Sequence, residues 1–317
     1  MRFILLLVAS FVFFSLTSFS IIGSGKLRNT QAAPLVSGES KSEEMVLAPV
    51  FIGVDTNPEL SAISAYAMDL NTDIPLYEKN QDLPHSPAST TKIITALVAI
   101  DNYPLGKVIK VGDINVDGQK MKLVAGEEIS VRNLLYGLLI FSANDAAEVL
   151  AQNYKGGREA FIEAMNVKAQ KLGLNHSFFT NPSGLDGEVH VTSSRDLVKV
   201  SVIAMKNPFF REVVGTKDIV VTSVDGTYQH KLVNLNELVG KVDGVMGVKT
   251  GWTETAQENL VTYVERGEKR VMIAVLGSQD RFGDTEKLID WIFANHDWQM
   301  VYVDDLPNYS EVSISAP

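Results

Sequence analysis

The sequence predicts an α+β protein in which an antiparallel sheet is built from both ends of the chain and a helical lobe is inserted between them. Strand-like segments occur near residues 64–77 and again beyond residue 219, whereas the apolar residues between them recur with helical spacing. Hydrophobic residues make up 45% of the 317-residue chain and charged residues 21%, so the chain can bury a full core. Strands, a block of helices, further strands and a closing helix together indicate this fold class.

The first half of the predicted domain begins with a hairpin and continues into helices. Residues 64–70 and 74–77 flank a turn at 71–73, and a helix fits residues 89–100. Residues 101–128 are polar, with scattered Val and Gly, and predict short strands and loops. Ser130 is the expected cap of the next helix, whose apolar face carries Leu134, Leu135, Leu138 and Leu139.

The second half changes from helical to strand periodicity. Helices are predicted at residues 146–154, 158–172 and 194–205. Strands are predicted at 219–221, 245–250, 259–264 and 271–276, and a final helix fits residues 285–294. Residues 301–317 are expected to form a short polar tail.

The N-terminus is predicted to direct export. Residues 3–25 carry no charge, which is typical of either a secretory signal or a single membrane anchor. Small residues at 18 and 20, and at 30 and 32, form small-x-small patterns that could allow cleavage. The flanking charges Arg2, Lys26 and Arg28 do not decide orientation. Residues 1–25 are therefore a signal peptide or an anchor, and residues 26–48, rich in Ser, Gly, Gln, Glu and Lys, a flexible linker.

Composition excludes several classes of function. The formal charge of −10 argues against nucleic acid as a partner, because phosphate binding needs a basic surface. The absence of cysteine excludes disulfides, thiolate catalysis and Cys-ligated metal sites. The five histidines show no metal-ligand spacing, so a zinc peptidase is not expected. No cofactor is expected.

The first chemical motif pairs Ser89 with Lys92 at the start of a predicted helix. Residues three apart on a helix share one face, so the two side chains can touch. A serine hydroxyl needs an adjacent base to act as a nucleophile, and a lysine can serve if its pKa falls from about 10.4. Alone, the pattern fits equally a capped helix with an exposed lysine.

Two further motifs follow along the chain. Ser142 and Asn144 lie between two predicted helices, where a hydroxyl could relay a proton and an amide could hold a peptide. Either of these residues, or Asp145, could instead cap a helix. Lys249, Thr250 and Gly251 end a predicted strand and offer a cation, a hydroxyl donor and close backbone approach, although an ordinary strand ending in a turn has the same pattern.

The three motifs in this order identify a protein family more specifically than any one of them alone. Ser-x-x-Lys, Ser-x-Asn and Lys-Thr-Gly occur in the same order along the chain in penicillin-binding proteins and class A β-lactamases. The chain resembles the low-molecular-mass penicillin-binding proteins that act as serine-type D-alanyl-D-alanine carboxypeptidases, the peptidase S11 family. Further matching stretches are residues 172–174, 178–185, 234–236 and 244–251. The resemblance implies a β-lactamase/DD-peptidase-like fold, with a catalytic domain at 49–300 and its helical lobe at about 105–195.

The resemblance also implies a mechanism and a set of catalytic residues. Ser89 would attack the carbonyl between two terminal D-alanines of a peptidoglycan stem pentapeptide, and Lys92, as a neutral amine, would take its proton. Ser142 would bridge Lys92 and Lys249 and pass a proton to the leaving nitrogen. Water would then hydrolyse the acyl-enzyme.

Substrate binding is assigned by the same resemblance. Asn144 would hold the substrate peptide and orient Lys92, and the backbone N–H groups of Ser89 and Trp252 would stabilise the oxyanion. The terminal carboxylate would be bound beside Gly251 by the side chains of Lys249, Thr250 and Arg281.

The implied partners are peptidoglycan stem peptides, with β-lactam antibiotics as covalent inhibitors. The site would lie on the extracytoplasmic face of a bacterial envelope, and the N-terminal segment would contact the membrane if it is not cleaved. One departure puts the shape of the cleft in doubt: residues 256–259 read Ala-Gln-Glu-Asn where Ala-Gly and a small or aromatic residue are expected.

Three other functions remain open. A D,D-endopeptidase that cuts peptidoglycan crosslinks would use identical residues. A class A-like β-lactamase would need a deacylating base, for which Glu163 is the nearest candidate, although it falls inside a predicted helix. The non-enzyme alternative is an inactive peptidoglycan-binding protein, which the presence of every motif residue disfavours.

Overall fold

A computed structural model describes residues 44–53 and 57–306 of the chain, and its centre is a five-stranded antiparallel sheet. The strands run in the order β3-β2-β10-β9-β8, so that β8 lies at one edge. Its strands are β2 (Ser64–Asp69), β3 (Pro75–Lys79), β8 (Val245–Thr253), β9 (Gln257–Arg266) and β10 (Lys269–Ser278). The predicted α+β class and antiparallel sheet are confirmed.

Three two-stranded ribbons accompany the main sheet, and each is antiparallel. They pair β1 (Met45–Phe51) with β11 (His296–Tyr302), β4 (Val108–Lys110) with β5 (Glu128–Ser130), and β6 (Asp218–Thr222) with β7 (Gln229–Val233).

Helices cover both faces of the sheet. They are α1 (Lys92–Asn102), α2 (Val131–Leu139), α3 (Asn144–Gln152), α4 (Gly157–Lys171), α5 (Ser194–Met205), α6 (Pro208–Val214) and α7 (Arg281–Asn295). The predicted helices are confirmed to within a few residues, and Ser130 caps α2 by accepting from the N–H of Asn133. Within the described residues, none of these helices is both long and apolar enough to cross a membrane.

The alternation of side chains along β10 divides the interior into two cores. Met272, Ala274 and Leu276 face a core shared with α1 and the helical lobe. Val271, Ile273 and Val275 face the opposite side, where they pack against α7 and the ribbon of β1 and β11. The sheet is therefore flanked by helices on both faces, with one hydrophobic core on each face.

Four elements differ from the sequence prediction. Strands β1 and β11 occupy residues assigned to the end of the linker and the start of the tail, so the boundaries at 48 and 301 fall inside paired strands. Their pairing joins residues some 250 positions apart, for example Met45 with Tyr302, and no local pattern reveals such a partner. Helix α6 and strand β7 are short and were likewise missed. The predicted signal or anchor at 1–25 lies outside the described residues.

Candidate active site

A cleft of about 880 Å³ runs along the free edge of β8 and collects most of the residues singled out from the sequence. Its walls include Ser89, Ser142, Asn144, Thr250, Trp252 and Arg281. Lys92 and Lys249 do not line the cleft, because both are fully buried beneath its floor. The three motifs, which are far apart in sequence, are thus brought to one place by α1, α3 and β8.

The turn that carries Ser89 is held rigidly. Residues 88–91 form one turn of 3₁₀ helix before α1, and Ala88 adopts a positive φ of 46°. Such a conformation is strained for a residue with a Cβ and is typical of functional sites. The side-chain amide of Asn259 donates to the carbonyl oxygens of Ser86 (2.9 Å) and Pro87 (3.1 Å), which holds the chain just before Ser89.

The Lys92 amine has three partners that suit its neutral form. Nζ lies 2.8 Å from Ser89 Oγ, 2.7 Å from Asn144 Oδ1 and within hydrogen-bond distance of the Ser183 carbonyl oxygen. The amide and carbonyl oxygens can only accept. A neutral amine with two N–H donors would use both on these oxygens, and its lone pair would then face the Ser89 hydroxyl.

Electrostatics favour the same form. Burial lowers the pKa of Lys92 to about 7, and the nearby carboxylates of Asp145 and Glu148 oppose this shift without cancelling it. At neutral pH a substantial fraction of Lys92 therefore carries no proton, as a general base requires.

Ser142 contacts the second lysine rather than the first. Lys249 Nζ donates to Ser142 Oγ at 3.0 Å and to its neighbour Thr250's carbonyl oxygen at 2.9 Å. Burial, together with the charges of Lys92 and Arg281, holds the pKa of Lys249 well below its ordinary value. Among the described residues Lys92 makes no hydrogen bond to Ser142, so the expected direct bridge between the two lysines is absent.

Asn144 begins α3 and uses its amide to join two walls of the cleft. Its oxygen accepts from Lys92, and its Nδ2 donates to the Asp117 carbonyl oxygen at 2.7 Å. The residue capping α3 is Ala143, which makes no side-chain cap, so the interpretation of this motif as a helix N-cap was wrong. Asp145 instead accepts from the backbone N–H groups of Met121 and Leu123, which anchors the loop that forms the wall.

The edge strand and the start of α7 form the opposite wall. A Cβ on Gly251 would lie only 3.1 Å from the Ser89 nitrogen, so the motif glycine allows β8 to approach Ser89 closely. Arg281 Nη1 donates to the Gly251 carbonyl oxygen at 3.2 Å. Trp252 lies beside them with 60% of its surface exposed. Because β8 is an edge strand, alternate N–H groups point away from the sheet and towards the cleft.

Sequence reasoning missed a supporting layer beneath the site. The Ser183 carbonyl oxygen, which accepts from the Lys92 amine, lies in a loop that Asn181 holds in place. Asn181 Oδ1 accepts from the N–H groups of residues 183, 184 and 185. His190 accepts from the Thr180 N–H at Nδ1, so its Nε2 carries the proton that is donated to Thr91 Oγ1 at 2.8 Å. These roles depend on backbone positions, and only the matching stretch 178–185 pointed to this loop.

Other candidate residues lie elsewhere. Glu163, the possible deacylating base, is exposed on α4 and lines a separate cavity with Asn166 and Phe178. Within residues 44–53 and 57–306, no group of three or more His, Asp or Glu side chains is placed to hold a metal ion.

Comparison with known proteins identifies the arrangement. Residues 53–280 match the family model of the peptidase S11 D-alanyl-D-alanine carboxypeptidases. D-alanyl-D-alanine carboxypeptidase DacF of Bacillus subtilis is 33% identical over 253 residues, which cover 76% of this chain and 64% of that protein. A D-alanyl-D-alanine endopeptidase of Escherichia coli is 35% identical over 247 residues, covering 75% of this chain and 79% of that protein.

The fold has close relatives among solved structures. The crystal structure of the Streptomyces K15 DD-transpeptidase superposes with a TM-score of 0.72 at 34% identity, and the match covers 75% of this chain and 99% of that one. The chain spans less than two thirds of the Bacillus subtilis relative but nearly all of the Streptomyces protein.

Proposed function

The chain belongs to the D-alanyl-D-alanine carboxypeptidase family, peptidase S11, and we propose that it removes the terminal D-alanine from peptidoglycan stem pentapeptides through an acyl-enzyme on Ser89. The observation that carries this proposal is the contact of 2.8 Å between Ser89 Oγ and the buried Lys92 amine, whose pKa lies at about 7. A hydroxyl beside an unprotonated base in a cleft is the arrangement that acyl transfer requires.

Acylation would begin with proton transfer from Ser89 to Lys92. The Ser89 oxygen attacks the carbonyl carbon between the two D-alanines while its proton moves to Nζ. The oxyanion would be stabilised by the backbone N–H groups of Ser89 and Trp252, which stand on opposite walls of the cleft. Asn144 would hold the substrate peptide, and Thr250, Lys249 and Arg281 its terminal carboxylate.

Collapse of the intermediate would need a proton for the leaving nitrogen. Ser142 is placed to give its hydroxyl proton to that nitrogen and to take one from Lys249, with which it is hydrogen-bonded. The C–N bond then breaks and D-alanine leaves. The proton gained by Lys92 balances the one lost by Lys249, and its return to Lys249 would leave Lys92 free to activate the water that hydrolyses the ester.

The proposed substrate and inhibitor follow from the family. Peptidoglycan lies outside the cytoplasmic membrane, so the enzyme acts on the extracytoplasmic side. Residues 1–25 would take it there as a cleaved signal or a retained anchor, and N-terminal mass analysis of membrane and soluble fractions distinguishes the two. β-Lactams would acylate Ser89 because their strained amide occupies the position of the scissile bond.

A D,D-endopeptidase is the second candidate, supported by the Escherichia coli relative of that name at 35% identity. It breaks the same kind of bond in a crosslinked peptide, so the two activities differ in leaving group and not in catalytic residues. Incubation with purified crosslinked dimers and with monomeric pentapeptides, followed by mass analysis of the products, separates them.

The proposed nucleophile is tested by intact mass after incubation with benzylpenicillin. We expect one covalent penicillin on the wild type and none on Ser89→Ala, and D-alanine release from a stem pentapeptide by the wild type only. No adduct with intact penicillin would contradict the assignment of an active serine. Destruction of the penicillin without an adduct would instead indicate a β-lactamase.

A further inference from the structure

Arg281, the residue proposed to bind the substrate carboxylate, has donors left over after its contacts within the protein. Its Nη1 donates to the Gly251 carbonyl oxygen, and its guanidinium lies over the ring of Phe282 at 4.8 Å. Its Nε is buried and has no hydrogen-bond partner among the described residues. Arg281 also lines the cleft, where its guanidinium can meet an anionic ligand.

A carboxylate of the chain itself stands beside this arginine. Glu258 Oε2 accepts from the backbone N–H of Arg281 at 3.0 Å. Glu258 is the cross-strand partner of Trp252, one of the residues that line the cleft. It also lines a second cavity, of about 350 Å³, which shares Trp252, Thr253 and Glu254 with the cleft.

Two of the first N–H groups of α7 already have carboxylate partners. The first N–H groups of a helix attract negative charge. Here the N–H of Arg281 is taken by Glu258 and that of Gly283 by the side chain of Asp280 at 2.9 Å. Glu258 therefore places a carboxylate at the end of α7 that carries Arg281.

Glu258 is one of several charged or buried-site influences on Arg281. Burial lowers the pKa of Arg281, while Glu258 and, after it, Glu237 oppose the shift. Lys249 is the cation on the other side, and its own pKa is lowered by Arg281. Glu258 is thus the carboxylate with the largest electrostatic effect on the group that would bind the substrate carboxylate.

We propose that Glu258 is a specificity-determining residue that weakens binding of leaving groups with a free carboxylate, and so narrows the preference of the site for them over leaving groups whose carboxylate is neutralised as an amide. The proposal rests on the function proposed above. Glu258 stands where the family resemblance leads one to expect a small or aromatic residue.

The test compares two peptides that differ in one group. Diacetyl-lysyl-D-alanyl-D-alanine and its C-terminal amide are each assayed for D-alanine or D-alaninamide release. Each is also assayed for protection of Ser89 against benzylpenicillin, which gives a binding constant even for an uncleaved peptide. In Glu258→Gln we expect binding of the carboxylate peptide to tighten about three- to tenfold, and binding of the amide to stay unchanged.

Two controls separate the possible outcomes. The glutamine oxygen can still accept from the Arg281 N–H, so the local hydrogen bond is kept. Glu286→Gln removes one negative charge from an exposed position on α7, the helix that begins at Arg281. It should change the binding constant of neither peptide. Weaker binding of the carboxylate peptide in Glu258→Gln, an unchanged ratio, or an equal change in both variants would overturn the proposal. A wild type that is never acylated would refute the proposed function instead.

Discussion

At the scale of single residues, the proposed chemistry depends on burying a lysine so that its pKa falls to about 7. Lys92 is fully enclosed and meets two oxygens that can only accept. Desolvation disfavours its charged form, and the carboxylates of Asp145 and Glu148 partly offset this by stabilising the charge. The same burial that makes Lys92 a base is unfavourable for folding at neutral pH, because a group with a lowered folded-state pKa binds fewer protons when folded.

The pH dependence of acylation follows from this pKa. Lys92 has a folded-state pKa of about 7, so its neutral fraction rises with pH and is half complete near that value. We expect the second-order rate of acylation by benzylpenicillin to rise about tenfold per pH unit well below 7 and to level off above 8. Stopped-flow or quenched mass measurements from pH 5 to 9 give the profile.

A matched variant assigns that profile to Lys92. An arginine keeps N–H donors beside Ser89 but stays protonated over the whole range. Lys92→Arg should therefore be acylated at a rate lower by about 100-fold or more at every pH, with no rising limb. A wild-type profile that is flat from pH 5 to 9, or an arginine variant with the wild-type profile, would contradict the assignment of Lys92 as the base.

At the scale of elements, the ribbon of β1 and β11 is tied to the main sheet by one buried hydrogen bond. Trp298 Nε1 donates to Asp69 Oδ2 at 2.8 Å, and the indole stacks on Phe293. The other oxygen of Asp69 accepts from the N–H groups of Asn71 and Thr72 in the turn between β2 and β3. The ribbon and the hairpin turn thus share one carboxylate.

Removing the indole donor should destabilise the fold without affecting catalysis. Trp298→Phe leaves a buried carboxylate oxygen without a partner, which costs about 2 kcal/mol or more in the free energy of unfolding. Urea denaturation measures the loss, and benzylpenicillin acylation should keep its wild-type rate. Gln299→Ala, at an exposed position on the same strand, is the control. Equal stability of Trp298→Phe and the wild type would show that the bond contributes nothing.

The success of the sequence prediction depended on whether a feature is local. Ser89 and Lys92 share one helical turn, and the helices and inner strands have strong periodicity, so both could be predicted. The partner of Ser142 could not, because the choice between Lys92 and Lys249 is set by how α3 packs against β8. Strands β1 and β11, and the Ser183 carbonyl, depend in the same way on distant contacts, which periodicity does not record.

At the scale of the whole molecule, the cleft lies where the helical region meets the edge of the main sheet. Ser89 precedes α1, which packs in the core on the helical side, while β8 reaches the cleft from the sheet. The loop at 181–187 closes the contact, because Asp186 accepts from both Ser86 and Thr253. The position of the nucleophile therefore depends on the fit of three separate segments.

Gly184 is the position at which this fit is tightest. It has a φ of +88°, and a Cβ there would lie 1.9 Å from the Ala88 carbonyl oxygen and 3.0 Å from the Ser89 nitrogen. Gly184→Ala must therefore displace the turn that carries the nucleophile. Since misplacement by about 1 Å can cost about 100-fold in rate, we expect benzylpenicillin acylation to fall by at least that factor in a variant that remains folded.

Gly126→Ala separates displacement of the turn from backbone strain. Gly126 has the same φ of +88°, but nothing lies within 4 Å of its added Cβ. Both variants should lose about 1–2 kcal/mol of stability from the left-handed conformation, and only Gly184→Ala should lose acylation. Circular dichroism and thermal unfolding establish that both are folded. If Gly184→Ala were acylated at the wild-type rate, the loop could yield without moving Ser89, and the nucleophile would be positioned by α1 and β8 alone.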